Sequence, residues 1–364
     1  MRENVGKVKR KRVKKTQMNK KRSAFSGKIG YVLSAAGASV GLGNIWRFPY
    51  LAAKYGGGIF LLVYIILALT FGYTMIVAES ALGRMTRKSP VGAFRSFAKG
   101  KKVGWLSFGG WINAIIPVLI VPYYSVIGGW VVKYLFEYIR GNGSKLAEDG
   151  YFSGFISSGG ATEICFVIFC MFTLVIIYAG VQNGIERVSK IMMPILIVLS
   201  VIIAIYSVTR PGAIEGVKYF LVPNVKNFSW MTVVAAMGQM FYSLSIAMGI
   251  LVTFGSYMRK DTSIEDSTRN VEIFDTAIAM MAGLMIIPAV FAFSGGDPDT
   301  LQAGPSLMFI TIPKVFANMG FGTAVGILFF VLVLFAAVTS SIALTESAVS
   351  TFEDELGWGR KKAT

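Results

Sequence analysis

AGASVGLGNIWRFP, residues 36–49, is the stretch on which the reading of this chain turns. It begins inside a charge-free apolar run, 29–46, and becomes glycine-rich and polar near the middle of it. In hydrocarbon every backbone N–H and C=O needs a partner, and only a continuous helix or a closed barrel supplies them all. A helix broken at Gly41 and Gly43, flanked by Ser39 and Asn44, would free carbonyls at membrane depth. Such groups are tolerated only where they line a protein cavity or hold a ligand. Glycines alone would equally suit close helix packing; the adjacent Asn44 and Arg47 weigh toward a break.

Seven more charge-free runs follow, at 55–78, 103–132, 164–185, 191–209, 227–258, 276–296 and 315–345. Each is long enough, or nearly so, to cross a bilayer, which takes about 20 residues. With 54% apolar residues and a mean hydropathy of +0.61, the chain reads as an all-α polytopic membrane protein of eight spans.

The net charge of +17 raises the question of nucleic acid, and its distribution answers it. With the N-terminus inside, segments 1–28, 84–104, 182–190, 258–272 and 346–364 are cytoplasmic. They hold 27 of the 36 Lys and Arg residues, against 6 in the external segments. That asymmetry is the positive-inside pattern, so the basic tail is read as topogenic, near anionic lipid, and no nucleic-acid partner is expected. No cleavable signal peptide is expected either, because no small-residue cleavage site follows the first apolar run.

Enzyme chemistry finds little to work with. The chain has no histidine and two cysteines, Cys165 and Cys170, five positions apart in one span and facing different sides. Zinc, haem and iron–sulfur centres, triad hydrolysis and a Walker-type phosphate loop are all unsupported.

A second anomaly lies in MGQMFYSLSIAMG, 237–249, where Gln239, Ser243, Ser245 and Gly249 gather in mid-membrane. Two interrupted spans, the first and the sixth, point to a transporter site between inverted repeats. The turn joining spans 4 and 5 is expected around 183–184, and span 7 is expected to begin near Asp275. That carboxylate is either functional within the membrane or a cap on the helix start. Thr339, Ser340 and Ser341 are either bonded to their own helix or ligands for a hard cation that prefers oxygen.

GASVGLGNIWRFPYLAAKYGGGIFLLVY (37–64), GQMFYSLSIAMGILVTFGSYMRKD (238–261) and TSSIALTESAVSTFEDEL (339–356) resemble the first, sixth and eighth helices of the neurotransmitter:sodium symporters. The resemblance runs from about Arg22 to Leu356 and takes in bacterial-type amino acid transporters. It implies a LeuT-like inverted five-helix repeat with helices 1 and 6 unwound. A basic tail (1–27) would precede a first repeat (28–209), a partial second repeat (229–353) and a cytoplasmic end (354–364).

Carried across by position, the resemblance implies two Na⁺ sites. One would use Ser39, Asn44, Ser243 and Asp275; the other would use Gly37, Val40, Ala336, Thr339 and Ser340. Asp275 stands where chloride-dependent relatives have Asn, so chloride independence is expected. The substrate pocket would comprise Ser39, Gly41, Gly43, Ile120, Tyr124, Tyr242, Ser245, Met248, Ser340 and Leu344. Its apolar wall suits a hydrophobic or aromatic amino acid. Arg22 and Asp354 would pair as a cytoplasmic gate, with Phe25 where the family commonly has Trp. Arg47 would lie at the external gate, and Glu79 and Gln239 would brace the unwound segments.

The implied activity is sodium-coupled amino acid symport across a bacterial plasma membrane, with the N-terminus cytoplasmic and self-association left open. Family members have eleven or twelve helices, so the second repeat here lacks its last two, and the acidic partner of Arg47 is missing. An incomplete chain is therefore expected. The alternative activity is that of a sodium- and amino-acid-binding or assembly protein that does not transport.

Overall fold

A computed structural model describes residues 23–97, 105–296 and 304–364. Six of its helices are long and apolar enough to cross a membrane: α3 (Gly58–Thr86), α4 (Leu106–Ile139), α5 (Gly159–Tyr178), α6 (Val181–Val208), α9 (Ile264–Ser294) and α10 (Gly322–Glu355). Spans 1 and 6 are not among them because each is cut in two. The first is α1 (Lys28–Ser39) followed by α2 (Phe48–Lys54). The sixth is α7 (Trp230–Ser243) followed by α8 (Ile250–Tyr257).

The bundle is layered by composition. Large apolar side chains such as Ile66, Leu69, Val175 and Val198 face outward, where a bilayer would take them. Within the most apolar window of each helix, 72% of residues are buried in α10 but only 22% in α5. The helix carrying the hydroxyl run is therefore central, and α5 is peripheral.

Small residues let the rods approach. A Cβ on Gly255 would stand 2.9 Å from the Ser80 Cα, and one on Gly83 would stand 2.9 Å from the Ser256 nitrogen, so α3 and α8 touch backbone to backbone. Gly129 does the same for α4 against α5, at 2.7 Å from the Phe166 nitrogen. Between helices in lipid, close packing of this kind supplies much of the attraction.

Three expected boundaries move. The turn between spans 4 and 5 falls at Ala179–Gly180, not 183–184, because Gly180 takes φ 93° and the helix restarts at Val181. Helix α9 begins at Ile264, capped by the Ser263 hydroxyl, so Asp275 lies three turns inside it and does not cap its start. Span 8 begins at Gly322 rather than 315. Residues Ile312–Ala317 form their own short helix, and Phe321 turns the chain at φ 60°. Pro117 and Pro122 are absorbed within α4, which continues through both.

Candidate functional site

The break in span 1 can be followed bond by bond. After Ser39 the chain extends at Val40 (φ −73°, ψ 97°), and helical turns resume at Gly43–Arg47 before α2. The N–H groups that would close an unbroken helix go elsewhere. Gly41 donates to the Asn44 Oδ1 at 3.2 Å, and Leu42 donates to the Tyr124 hydroxyl at 3.0 Å. The carbonyls of Gly37, Ala38 and Val40 are left to the Ser340 Oγ at 3.3, 3.2 and 3.3 Å, and Ser245 Oγ adds a 3.3 Å bond to Ala38. One hydroxyl proton cannot satisfy three carbonyls, so this corner of the protein is rich in oxygen lone pairs.

Span 6 opens differently. Ser245, Ala247 and Gly249 take φ of 55°, 61° and 68°, and only the last is a glycine. Left-handed backbone at the other two costs about 1–2 kcal/mol each and persists because neighbours hold it. Glu79 Oε1 accepts the Ala247 N–H at 2.8 Å, and Asn113 Oδ1 accepts the Gly249 N–H at 3.2 Å. Gln239 Nε2 reaches back to the Gly43 carbonyl at 3.0 Å. Glu79 thus touches the sixth span's gap and Gln239 the first's.

Between the two gaps lies Asp275, fully buried. It accepts from Asn44 Nδ2 at 2.8 Å, from Ser243 Oγ at 2.9 Å to both oxygens, and from the Tyr64 hydroxyl at 3.2 Å. All of these donors are neutral. The other predicted oxygen set is also close together. Thr339 Cβ lies 3.1 Å from where a Gly37 Cβ would be, and its hydroxyl bonds back to the Phe335 and Ala336 carbonyls at 2.9 and 3.2 Å. The lone pairs of that oxygen stay available. Of the three tandem hydroxyls, Thr339 follows the back-bonding alternative, Ser340 turns to the first span, and Ser341 meets Thr173 at 3.4 Å.

A small cavity of about 30 Å³ sits beside these oxygens. All ten predicted pocket residues line it: Ser39, Gly41, Gly43, Ile120, Tyr124, Tyr242, Ser245, Met248, Ser340 and Leu344. Ala38, Asn44, Ser243 and Ile250 complete the wall. At the first break glycine is required by space. A Cβ at Gly41 would stand 2.5 Å from Ser340 Oγ and 2.8 Å from the Tyr124 hydroxyl, and one at Gly43 would stand 2.5 Å from the Tyr242 ring. If the cavity is the Na⁺-dependent amino acid site that the resemblance implies, Gly41→Ala should weaken binding there about 10- to 100-fold, the usual overpacking cost of 1–3 kcal/mol. Scintillation proximity with a radiolabelled amino acid measures it, and unchanged affinity would mean that the crowded side is not the binding side.

Arg47 lies over Tyr242, which lines the cavity. Its Nη1 donates to Gln239 Oε1 at 3.0 Å and to the Gly238 carbonyl at 3.4 Å, with the guanidinium 5.2 Å from the Tyr242 ring centre. Asp354 accepts the Ser89 N–H at 2.6 Å. Arg22, its expected partner, lies outside the described residues. Phe25 is buried edge-on to Phe254 and Tyr257 at 5.6 and 6.1 Å.

Tyr64, Asn113, Glu346 and Arg360 are the residues that sequence reasoning missed. Glu346 is wholly buried and holds Arg360 through two bonds of 3.0 and 2.5 Å, and the Tyr257 hydroxyl at 2.7 Å.

With this geometry in hand, the relatives are informative. The sequence profile of the sodium:neurotransmitter symporter family matches residues 22–144 and 151–363. The uncharacterized sodium-dependent transporter YhdH of Bacillus subtilis is 37% identical over 330 residues, which are 90% of this chain and 72% of that protein. A sodium-dependent transporter of Haemophilus influenzae is 34% identical over 359 residues, 96% of this chain and 78% of its own. Among solved structures, MhsT in complex with L-phenylalanine matches with a TM-score of 0.84 at 38% identity, over 94% of this chain and 77% of that one. The chain belongs to the sodium:neurotransmitter symporter family, a family of membrane-embedded, sodium-coupled secondary transporters and not of enzymes.

Proposed function

We propose that the chain moves a hydrophobic or aromatic amino acid into the cell together with two Na⁺ ions, without requiring chloride. The observation that carries this reading is the buried Asp275 carboxylate, held among the described residues by neutral donors, of which Asn44 and Ser243 line the cavity. A buried charge needs a compensating charge, and hard oxygens around it suit an alkali cation.

One ion would sit among Ser39, Asn44, Ser243 and Asp275, with a substrate carboxylate oxygen completing the shell. The Asn44 amide carries both polarities, and turning it over presents Oδ1 in place of Nδ2. The second ion would sit among the Gly37, Val40 and Ala336 carbonyls and the Thr339 and Ser340 hydroxyls. Tyr124, which already accepts the Leu42 N–H, has its own proton to give to the substrate carboxylate. The walls formed by Ile120, Tyr242, Met248 and Leu344 favour an apolar side chain, and the match to a relative holding L-phenylalanine is in keeping with that. Arg22 with Asp354, and Arg47 with Tyr242, would close the two ends. The distribution of basic residues supports a cytoplasmic N-terminus at the plasma membrane.

Two Na⁺ with a zwitterion carry two charges inward, about 4.6 kcal/mol per 100 mV, enough to sustain a gradient on the order of 10³-fold. Proteoliposomes with an inward Na⁺ gradient should therefore accumulate radiolabelled L-phenylalanine, and should do so far better than L-aspartate. Na⁺-dependent binding without accumulation would favour a binding or assembly role instead.

A further inference from the structure

We propose that a cleft at the Arg84 end of α3 is a binding site for one membrane phospholipid with an anionic headgroup. The cleft lies on the outside of the bundle, shares no lining residue with the cavity, and offers about 680 Å³ of space. Its floor is Ala78, Ala81, Leu82 and Met85, spaced as one face of a helix, with Ile264 from the start of α9 opposite them. Met85 is 66% exposed, so this floor opens outward and not into the protein.

Its rim is basic. Arg84 is fixed in place, since its Nη1 donates to the Thr262 carbonyl and lies 3.7 Å from the Met258 sulfur, while Nε and Nη2 have no bond among the described residues. A guanidinium anchored on one edge keeps its other donors for a phosphate. Lys260, exposed and across the cleft, is the second cation. Two neighbouring acids are engaged elsewhere: Asp261 pairs with Arg259 at 2.8 Å and Asp266 with Lys28 at 3.9 Å. Glu265 is exposed nearby but does not line the cleft.

An apolar trough that ends in two cations at the depth where a span meets water complements one acyl chain below one anionic headgroup. A zwitterionic lipid would fill the trough without the electrostatic gain. That gain is about fivefold for each basic group beside an anionic headgroup, or about 30-fold for the pair at low salt.

Native mass spectrometry of the purified full chain, with phosphatidylglycerol and phosphatidylcholine titrated in competition, tests this. The wild type should retain one phosphatidylglycerol with about 30-fold preference, which R84Q/K260Q should lose. K260Q alone, which removes an exposed side chain with no bond among the described residues, should lose about fivefold and keeps the test valid if the double variant is poorly folded. The charge-matched K361Q/K362Q should leave the preference unchanged. Ala81→Trp fills the trough without touching either charge and should expel the lipid. Equal retention of the two lipids by the wild type, undiminished preference in K260Q, an equal loss in K361Q/K362Q, or retention by the Trp variant would each overturn the proposal.

Discussion

Replacing Asp275 by Asn should convert uptake from chloride-indifferent to chloride-requiring. The wild type should take up amino acid at the same rate in sodium gluconate as in sodium chloride. The variant should fall on the order of 10²-fold in gluconate and recover a large part of the loss when chloride is restored. The direction follows from charge. A unit charge about 4 Å from a monovalent cation contributes about 4 kcal/mol at an effective dielectric of 20, and an Asn carbonyl dipole returns only part of it. Geometry allows the substitution: the one amide oxygen of Asn, in the place of Oδ2, can still accept from Ser243 and Tyr64 at 2.9 and 3.2 Å, once the Asn44 amide, which donates to Oδ1 at 2.8 Å, turns over to meet the new N–H. A small mobile anion near Tyr64 and Ser243 would then replace the missing charge. If the variant transports equally with and without chloride, Asp275 is not the compensating charge of a cation site.

Much of that site is legible in the sequence, for reasons that can be named. Gly41, Gly43 and Asn44 within one turn of an apolar run mark the first break, because glycine removes the Cβ and Asn offers a competing acceptor for the backbone. The Asn44 side chain does take the Gly41 N–H. The second break is marked less well. Gly249 signals one of its three left-handed residues, whereas Ser245 and Ala247 carry no such sign. Ala247 is supported by Glu79 and Gly249 by Asn113, 168 and 136 positions away in the chain. Local pattern cannot report a partner at that distance.

The same limit explains the other misses. Tyr64 reads as one more aromatic in the run 55–78, and only folding brings its hydroxyl to Asp275. The start of α9 is masked because its first three turns mix charged and apolar residues, and a search for charge-free runs discards them. Gly180 was outweighed by Asn183–Gly184, a stronger turn pair by composition, which the structure places in the first turn of α6. Arg360 reads as one of three topogenic cations, Arg360, Lys361 and Lys362. Its two neighbours behave that way, with Lys361 near Tyr178 and Lys362 near Trp358 at exposed positions. Arg360 does not.

Arg360→Ala should destabilise the protein by about 3–5 kcal/mol, the usual cost of stranding one partner of a buried ion pair, and lower the melting temperature in detergent by on the order of 10 °C. Glu346 has no exposed surface, and its two oxygens take bonds from Arg360 at 3.0 and 2.5 Å. Without Arg360, among the described residues only the Tyr257 hydroxyl, at 2.7 Å, remains to hold a carboxylate that has no exposed surface. Arg360 also gives its Nε–H to the Ile177 carbonyl at 2.9 Å, so one side chain ties α10, α5 and, through Tyr257, α8. The Tyr257 carbonyl in turn accepts the Phe25 N–H at 3.0 Å, which extends the network to the residues that precede α1. The double variant Glu346→Leu/Arg360→Leu separates charge from packing. Because replacing a buried pair by apolar residues is often neutral or better, it should recover most of the loss, whereas Glu346→Leu alone should not. A single Arg360→Ala variant that melts within a degree of the wild type would show that water reaches Glu346 and that the pair is ornamental. A double variant as unstable as the sum of the singles would show that the bond to Ile177 and the shape of the side chains matter more than the buried charge.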